Sequence, residues 1–244
     1  MRALLLDSGN TRIKAALSVD GRITEVHAFE HEHQAEILNL ADVLEAEACC
    51  VCDVSGQIDT LIAELQSRYA PRFHQISALS RVPFNTGDGF YPTMGSDRIA
   101  ALVGAYYRVK PKAVLVIDAG TALTYDFLDN NATYRGGLIS LGIDMRRRAL
   151  HTFTGRLPLV EVPEEHFYPF TTEGTVSSLQ AGIVAGVVGE FKYLISELRE
   201  RYDNFEILLT GGDAECLSNF YFCKSFVVQN LVLEGLYELL VCNV

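Results

Sequence analysis

The chain has 244 residues, 49% of them hydrophobic, enough to bury one large core or two modest ones, and its net charge is −11. That acidity argues against nucleic acid and against an anionic membrane surface, since both need a basic face, so any phosphate must be held locally by backbone N–H groups, a few basic side chains and cations. The longest apolar stretch, residues 179–188, is about ten residues against the ~20 of a membrane span, and Arg2 is followed at once by a short strand, so the sequence predicts a soluble, cytoplasmic protein without a signal peptide.

In chain order, residues 3–17, ALLLDSGNTRIKAAL, run from an apolar strand into Asp7, a small residue, Gly9 and Thr11, then an alternating strand. The Asp20-Gly21 turn leads to a third strand, which gives a meander over about residues 2–29. His31-Glu32-His33 then places two histidines around a carboxylate; with no further ligand cluster nearby, the segment is read as an exposed loop rather than a metal site. Helical periodicity over 35–46, an apolar strand at 48–54, a helix at 58–69 and a strand near 72–77 follow. Cys49, Cys50 and Cys52 lie in that apolar strand, where adjacent side chains take opposite faces, so they are read as reduced, buried thiols.

A turn-rich loop over 83–92 ends in Tyr91-Pro92-Thr93-Met94-Gly95-Ser96-Asp97-Arg98, and Ile99, Leu102, Val103 and Tyr106 fall at helical spacing. Ser96 is therefore expected as an N-cap, with Asp97 in the first turn. An Asp there is also what the helix macrodipole favours in any helix, and spacing alone does not choose between that and a chemical role. The neighbouring Gly95 and Arg98, with Tyr91 on the loop, favour the chemical role.

The second half repeats the plan. Residues 114–126, VLVIDAGTALTYD, hold an apolar strand, Asp118, Gly120 and Thr121, about 110 residues after the first copy. Strands are predicted at 113–118, 121–128 and 133–140, with Gly136-Gly137 and Gly142 bracketing the third, then a helix over 144–153 whose Arg146, Arg147 and Arg148 are read as a solvated face. Residues 155–172 have no period and suggest a lid or ordered loop. A helix over 175–199 buries a stripe of Leu179, Ile183, Val187, Phe191, Leu194 and Leu198, while Gly182, Gly186 and Gly189 would let another element approach closely. A strand at 206–209 ends in Thr210-Gly211-Gly212-Asp213-Ala214, and a strand at 226–228 and a helix at 231–241 close the chain.

Two strand–Asp-x-Gly-Thr–strand units in matching contexts indicate a duplication. The predicted fold is α/β, two βββαβα-type halves, residues 1–110 and 111–244, around a nucleotide cleft. P-loop, Rossmann, zincin and nucleophile-elbow motifs are absent from the sequence. Glycine turns at strand ends offer N–H groups to phosphate oxygens, and carboxylates recruit the cations that neutralise them. Phosphoryl transfer then needs positioning, charge stabilisation and a base, for which Asp97, with an ordinary carboxylate pKa near 4, is the candidate.

Asp7-Ser8-Gly9-Asn10-Thr11, Gly95-Ser96-Asp97-Arg98, Asp118-Ala119-Gly120-Thr121, Gly136-Gly137 with Gly142, and Thr210-Gly211-Gly212-Asp213-Ala214 together resemble the type III pantothenate kinases, of the acetate kinase, sugar kinase, heat-shock ATPase and actin superfamily. The resemblance implies a duplicated ribonuclease H-like (actin-like ATPase) fold and ATP-dependent phosphorylation of pantothenate to 4'-phosphopantothenate, the first step of coenzyme A biosynthesis. It implies ATP binding by Asp7, Ser8, Gly9, Asn10, Thr11, Arg12, Ile13, Lys14 and Thr121. Pantothenate is expected at Tyr91, Gly95, Ser96, Asp97, Arg98 and Thr175, with Asp97 the general base and Arg98 facing the substrate carboxylate. Asp118 is expected to hold a monovalent cation, K+ or NH4+, with Mg2+ accompanying ATP, and the family implies a homodimer. Leu141 stands where the family usually has Pro, and Ser96 where it usually has Ala. Alternatives are a non-catalytic accessory transcription factor of the same family and another small-molecule kinase of the superfamily; retention of Asp7, Asp97, Arg98 and Asp118 argues against the first.

Overall fold

The computed structural model describes residues 1–87, 92–162, 172–220 and 225–244. The chain forms two units, one of Met1–Pro111, Asn130–Gly136 and Asn230–Val244, the other of Lys112–Asp129 and Gly137–Gln229. The first unit thus takes in residues 130–136 and 230–244 besides the N-terminal stretch.

The first unit opens with a meander of β1 (Arg2–Ser8), β2 (Ile13–Val19) and β3 (Arg22–Phe29), and a 3-10 turn at His31–His33 leads into α1 (Gln34–Val43). Then come β4 (Ala48–Asp53), α2 (Asp59–Tyr69), β5 (Phe73–Gln75) and α3 (Ser96–Val109). The sheet order is β3-β2-β1-β4-β5, with β1 antiparallel to β2 and parallel to β4. β1 is the middle strand, covered on both faces, and so its sequence is an unbroken apolar run, Ala3 to Leu6, all fully buried. Leu4, Leu6, Ile13, Cys49 and Val51 share a core with Ile37 of α1 and Leu61 and Leu65 of α2. Cys49, Cys50 and Cys52 are buried, as the apolar strand required.

The second half of the chain repeats this topology, although the first three residues of its third strand, 134–136, group with the first unit. β6 (Ala113–Ala119), β7 (Ala122–Leu128) and β8 (Tyr134–Leu141) are followed by α4 (Ile143–Thr152), α5 (Thr175–Arg199), β9 (Phe205–Thr210), α6 (Ala214–Phe220) and β10 (Phe226–Val227). Its order, β10-β9-β6-β7-β8, is the same pattern, with the first strand of the half central, its hairpin partner antiparallel and its crossover partner parallel. The duplicated ribonuclease H-like plan is thus present in both sheets. The last helix, α7 (Leu231–Asn243), crosses α3, with Gly235 set against the Ala100 carbonyl and Gly104 against that of Leu231. A methyl group at Gly235 would overlap that carbonyl, so the two backbones touch only because neither position has a side chain.

α5 buries Leu179, Ile183, Val187 and Phe191, with Leu194 and Leu198 partly covered. Its Gly182 and Gly189 look onto open space, and Gly186 faces the Arg146 guanidinium. The reading of Arg146 and Arg147 as a solvated face is corrected: Arg146 donates to Glu190 at 2.6 Å, and Arg147 joins Asp144 and Glu161. The carboxylates on α4, on the loop after it and on α5 draw the guanidinium groups inward, which a run of three arginines does not reveal.

Candidate active site

Asp7 is the sixth residue of the seven-residue β1, and Asp118 the sixth of the seven-residue β6. Asp7 lies opposite Lys14 of β2 and Cys52 of β4, and Asp118 opposite Thr124 of β7 and Thr210 of β9. Each carboxylate is therefore held at the end of a buried central strand, and each is followed by a tight turn, closed by the Gly9 N–H to the Arg12 carbonyl at 3.1 Å and by the Gly120 N–H to that of Ala122 at 3.1 Å.

In the first unit Asp7, Cys52, Ser96 and Asp97 come together. Burial raises the Asp7 carboxyl to about 6, Lys14 pulls it down, the negative charge of Asp97 pushes it up, and the Cys52 thiol, donating a hydrogen bond, pulls it down again. Cys52 Sγ is 3.2 Å from Ser96 Oγ, which donates to the Asp53 carbonyl at 3.1 Å. The expected N-cap at Ser96 is thereby corrected: Gly95 is the cap residue, with no side-chain cap, and the Ser96 hydroxyl turns away to tie α3 to the end of β4. Asp97 lies in the first turn, its Oδ1 taking the Arg98 N–H at 2.7 Å. Arg98 is buried and donates to Tyr134 Oη at 3.2 Å. Of the turn, Asn10, Thr11 and Arg12 are exposed, whereas Ile13 is wholly buried in the sheet core, so its side chain faces protein. Tyr91 lies outside the described residues.

In the second unit, Asp118 is half-buried and Thr121 exposed on the turn, with Gly142 pressed against the Gly120 and Thr121 carbonyls. Gly211, at φ +93°, sits on the Asp118 carboxylate and the Ala119 carbonyl, and the Asp213 N–H donates to that carbonyl at 2.9 Å. The third glycine turn thus seats on the second Asp turn, an approach that leaves no room for a side chain. Asp213 is raised by burial and by Asp144, against Arg147. Thr175, exposed, opens α5. Around Asp118 the donors are carboxylate and carbonyl oxygens, which suit alkali and alkaline-earth ions. Among the described residues no three His, Cys, Asp or Glu side chains form a metal-holding group, His31-Glu32-His33 included.

The family described as type III pantothenate kinase matches residues 3–197. The chain belongs to the type III pantothenate kinase family. A type III pantothenate kinase of Flavobacterium psychrophilum is 37% identical over 238 residues, covering 97% of each chain. The fold is shared more widely. A Campylobacter jejuni structure described as a Baf family transcriptional activator superimposes with a TM-score of 0.64 at 20% identity, over 98% of this chain and 97% of that one. A Listeria monocytogenes protein described as an N-acetylmannosamine kinase superimposes at 0.57 and 15% identity, over 99% of each. Within the type III pantothenate kinase frame, one placement that sequence reasoning did not give is that of Cys52, a buried thiol as expected but set beside Asp7. Its position opposite Asp7 follows from the β1–β4 register, which its apolar neighbours in sequence do not reveal.

Proposed function

We propose that the chain transfers the γ-phosphoryl group of ATP to the primary hydroxyl of pantothenate, giving 4'-phosphopantothenate and ADP. The bond from the γ-phosphorus to the bridging oxygen breaks as the bond to the hydroxyl oxygen forms, and the hydroxyl proton passes to Asp97. The observation that carries this reading, beside family membership, is the pair of carboxylates Asp7 and Asp97 close enough to act on each other's charge at the end of β1 and the start of α3.

The turn from Ser8 to Arg12 takes the ATP phosphates through its N–H groups, with Lys14 adding charge, and Thr121 supplies the second phosphate turn. Arg98 offers positive charge to the pantothenate carboxylate, and the family resemblance assigns Gly95, Ser96, Tyr91 and Thr175 to the same substrate. K+ or NH4+ at Asp118, with Mg2+ on the phosphates, supplies charge neutralisation when bound. The exposed glycine face of α5 is the surface we assign to a homodimer. Among the described residues no helix is long and apolar enough to cross a membrane, and we assign the protein to the cytoplasm. Retention of Asp7, Asp97, Arg98 and Asp118 together favours the kinase over a regulator.

The test is ATP consumption by purified protein. Turnover is expected with pantothenate and a potassium salt, and not with sodium alone. Equal turnover with hexoses, or none with any acceptor, overturns the assignment. Sedimentation at assay concentration checks the dimer.

A further inference from the structure

The 3-10 turn His31–His33 braces the phosphate turn. His31 Nε2 lies 3.0 Å from the Gly9 carbonyl oxygen. A carbonyl only accepts, so Nε2 holds the proton, and in the neutral ring Nδ1 is a bare acceptor. That Nδ1 is buried and has no hydrogen-bond partner among the described residues. A buried nitrogen left unpaired is unfavourable. His31 is itself fixed: Gln34 Nε2 donates to the carbonyls of His31 and Gln57, each at 2.9 Å. The turn is held from the other side by the Val54 N–H on the Ser8 carbonyl at 3.0 Å and by the Ser8 and Ser55 hydroxyls, 2.9 Å apart.

The Gly9 carbonyl and the Asn10 N–H belong to one trans peptide and point in opposite directions. Holding the carbonyl on the imidazole therefore turns the Asn10 N–H away from the ring. Gly9 is where such a peptide would otherwise rotate most easily, since glycine has the widest choice of φ and ψ. We propose that His31 is a positioning residue for ATP, its Nε2–H fixing the Gly9–Asn10 peptide so that the Asn10 N–H is presented to a phosphate oxygen. The inference rests on the reading of this turn as the ATP phosphate turn.

The experiment compares wild type with His31→Gln, whose amide N–H stands near the place of Nε2, and His31→Met, of similar length, uncharged and without a donor. ATP affinity is measured by calorimetry on the full chain without pantothenate, and KM is measured for both substrates. His31→Met is expected to weaken ATP about tenfold, the size of one lost hydrogen bond, with KM for pantothenate unchanged and His31→Gln near wild type. His31→Met with wild-type ATP affinity overturns the inference, as does an equal rise of both KM values with a lowered Tm. Should His31→Met not fold, His31→Gln and His31→Asn make the same comparison, Asn being too short to place a donor at Nε2; equal ATP affinities then overturn it. Wild-type protein that binds no ATP overturns the ATP reading itself, a result distinct from tight wild-type binding that His31→Met leaves intact.

Discussion

Asp97 folds its carboxylate back over Gly95, so that a Cβ added at Gly95 would lie 2.5 Å from Asp97 Oδ1. Gly95 has φ −58° and ψ 139°, a conformation open to any residue, so the requirement for glycine is one of space and not of backbone strain. Gly95→Ala is expected to displace the carboxylate and lower kcat by about 10–10²-fold, with Tm within a few degrees of wild type. Unchanged kcat would mean that the carboxylate position does not govern the reaction.

Asp97→Asn keeps the shape and removes the proton acceptor. Turnover is expected to fall by about 10²–10⁴-fold, while ATP affinity, measured without pantothenate, stays near wild type. Wild-type turnover would place the base elsewhere.

Asp7 trades stability for charge. Its carboxyl is raised to about 6 in the folded protein from an ordinary value near 4, so between those two pH values the native state holds the proton more tightly than the unfolded chain. The contribution of Asp7 to stability is therefore greatest below pH ~4 and is lost as pH rises through ~6. At pH 7 Asp7→Asn is expected to be more stable than wild type by roughly 1–3 kcal/mol, a difference that closes towards pH ~4, and to lose activity. Urea unfolding of both proteins across that range checks the sign, and a variant less stable at pH 7 would refute it.

Glu190 collects the Tyr125 hydroxyl at 2.6 Å, the Ser140 hydroxyl at 3.0 Å and Arg146 at 2.6 Å. Burial and the Glu190 charge both push the Tyr125 hydroxyl above its usual pKa. Glu190→Ala takes the Glu190 carboxylate from a half-buried guanidinium that keeps only the Leu141 carbonyl and Ser140 hydroxyl, and should cost about 2–4 kcal/mol in urea unfolding, part of which Arg146→Met in the same chain should restore. Strict additivity of the two changes would show that the cluster is not a coupled unit.

Gly235→Ala drives a methyl into the Ala100 carbonyl and forces α7 away from α3. A loss of about 2 kcal/mol or more is expected. Gly212→Ala, with no atom within 4 Å of the added Cβ, is the control and should stay within about 0.5 kcal/mol of wild type.

The strands, the duplication and the two Asp turns were legible in the residues alone, because these features are local. An unbroken apolar run marks a strand covered on both faces, and Asp-x-Gly marks where it stops. Family membership was legible for the same reason, since its motifs are short and ordered along the chain. Tertiary structure alone decided that Cys52 stands beside Asp7, that Ser96 ties α3 to β4 instead of capping it, that His31 reaches Gly9, that Arg146 turns inward to Glu190, and that α7 returns to the first unit. Each of these is a pairing between residues distant in sequence, set by strand register or by the close approach of two backbones, and periodicity within a single segment contains no information about which partner a polar side chain will meet.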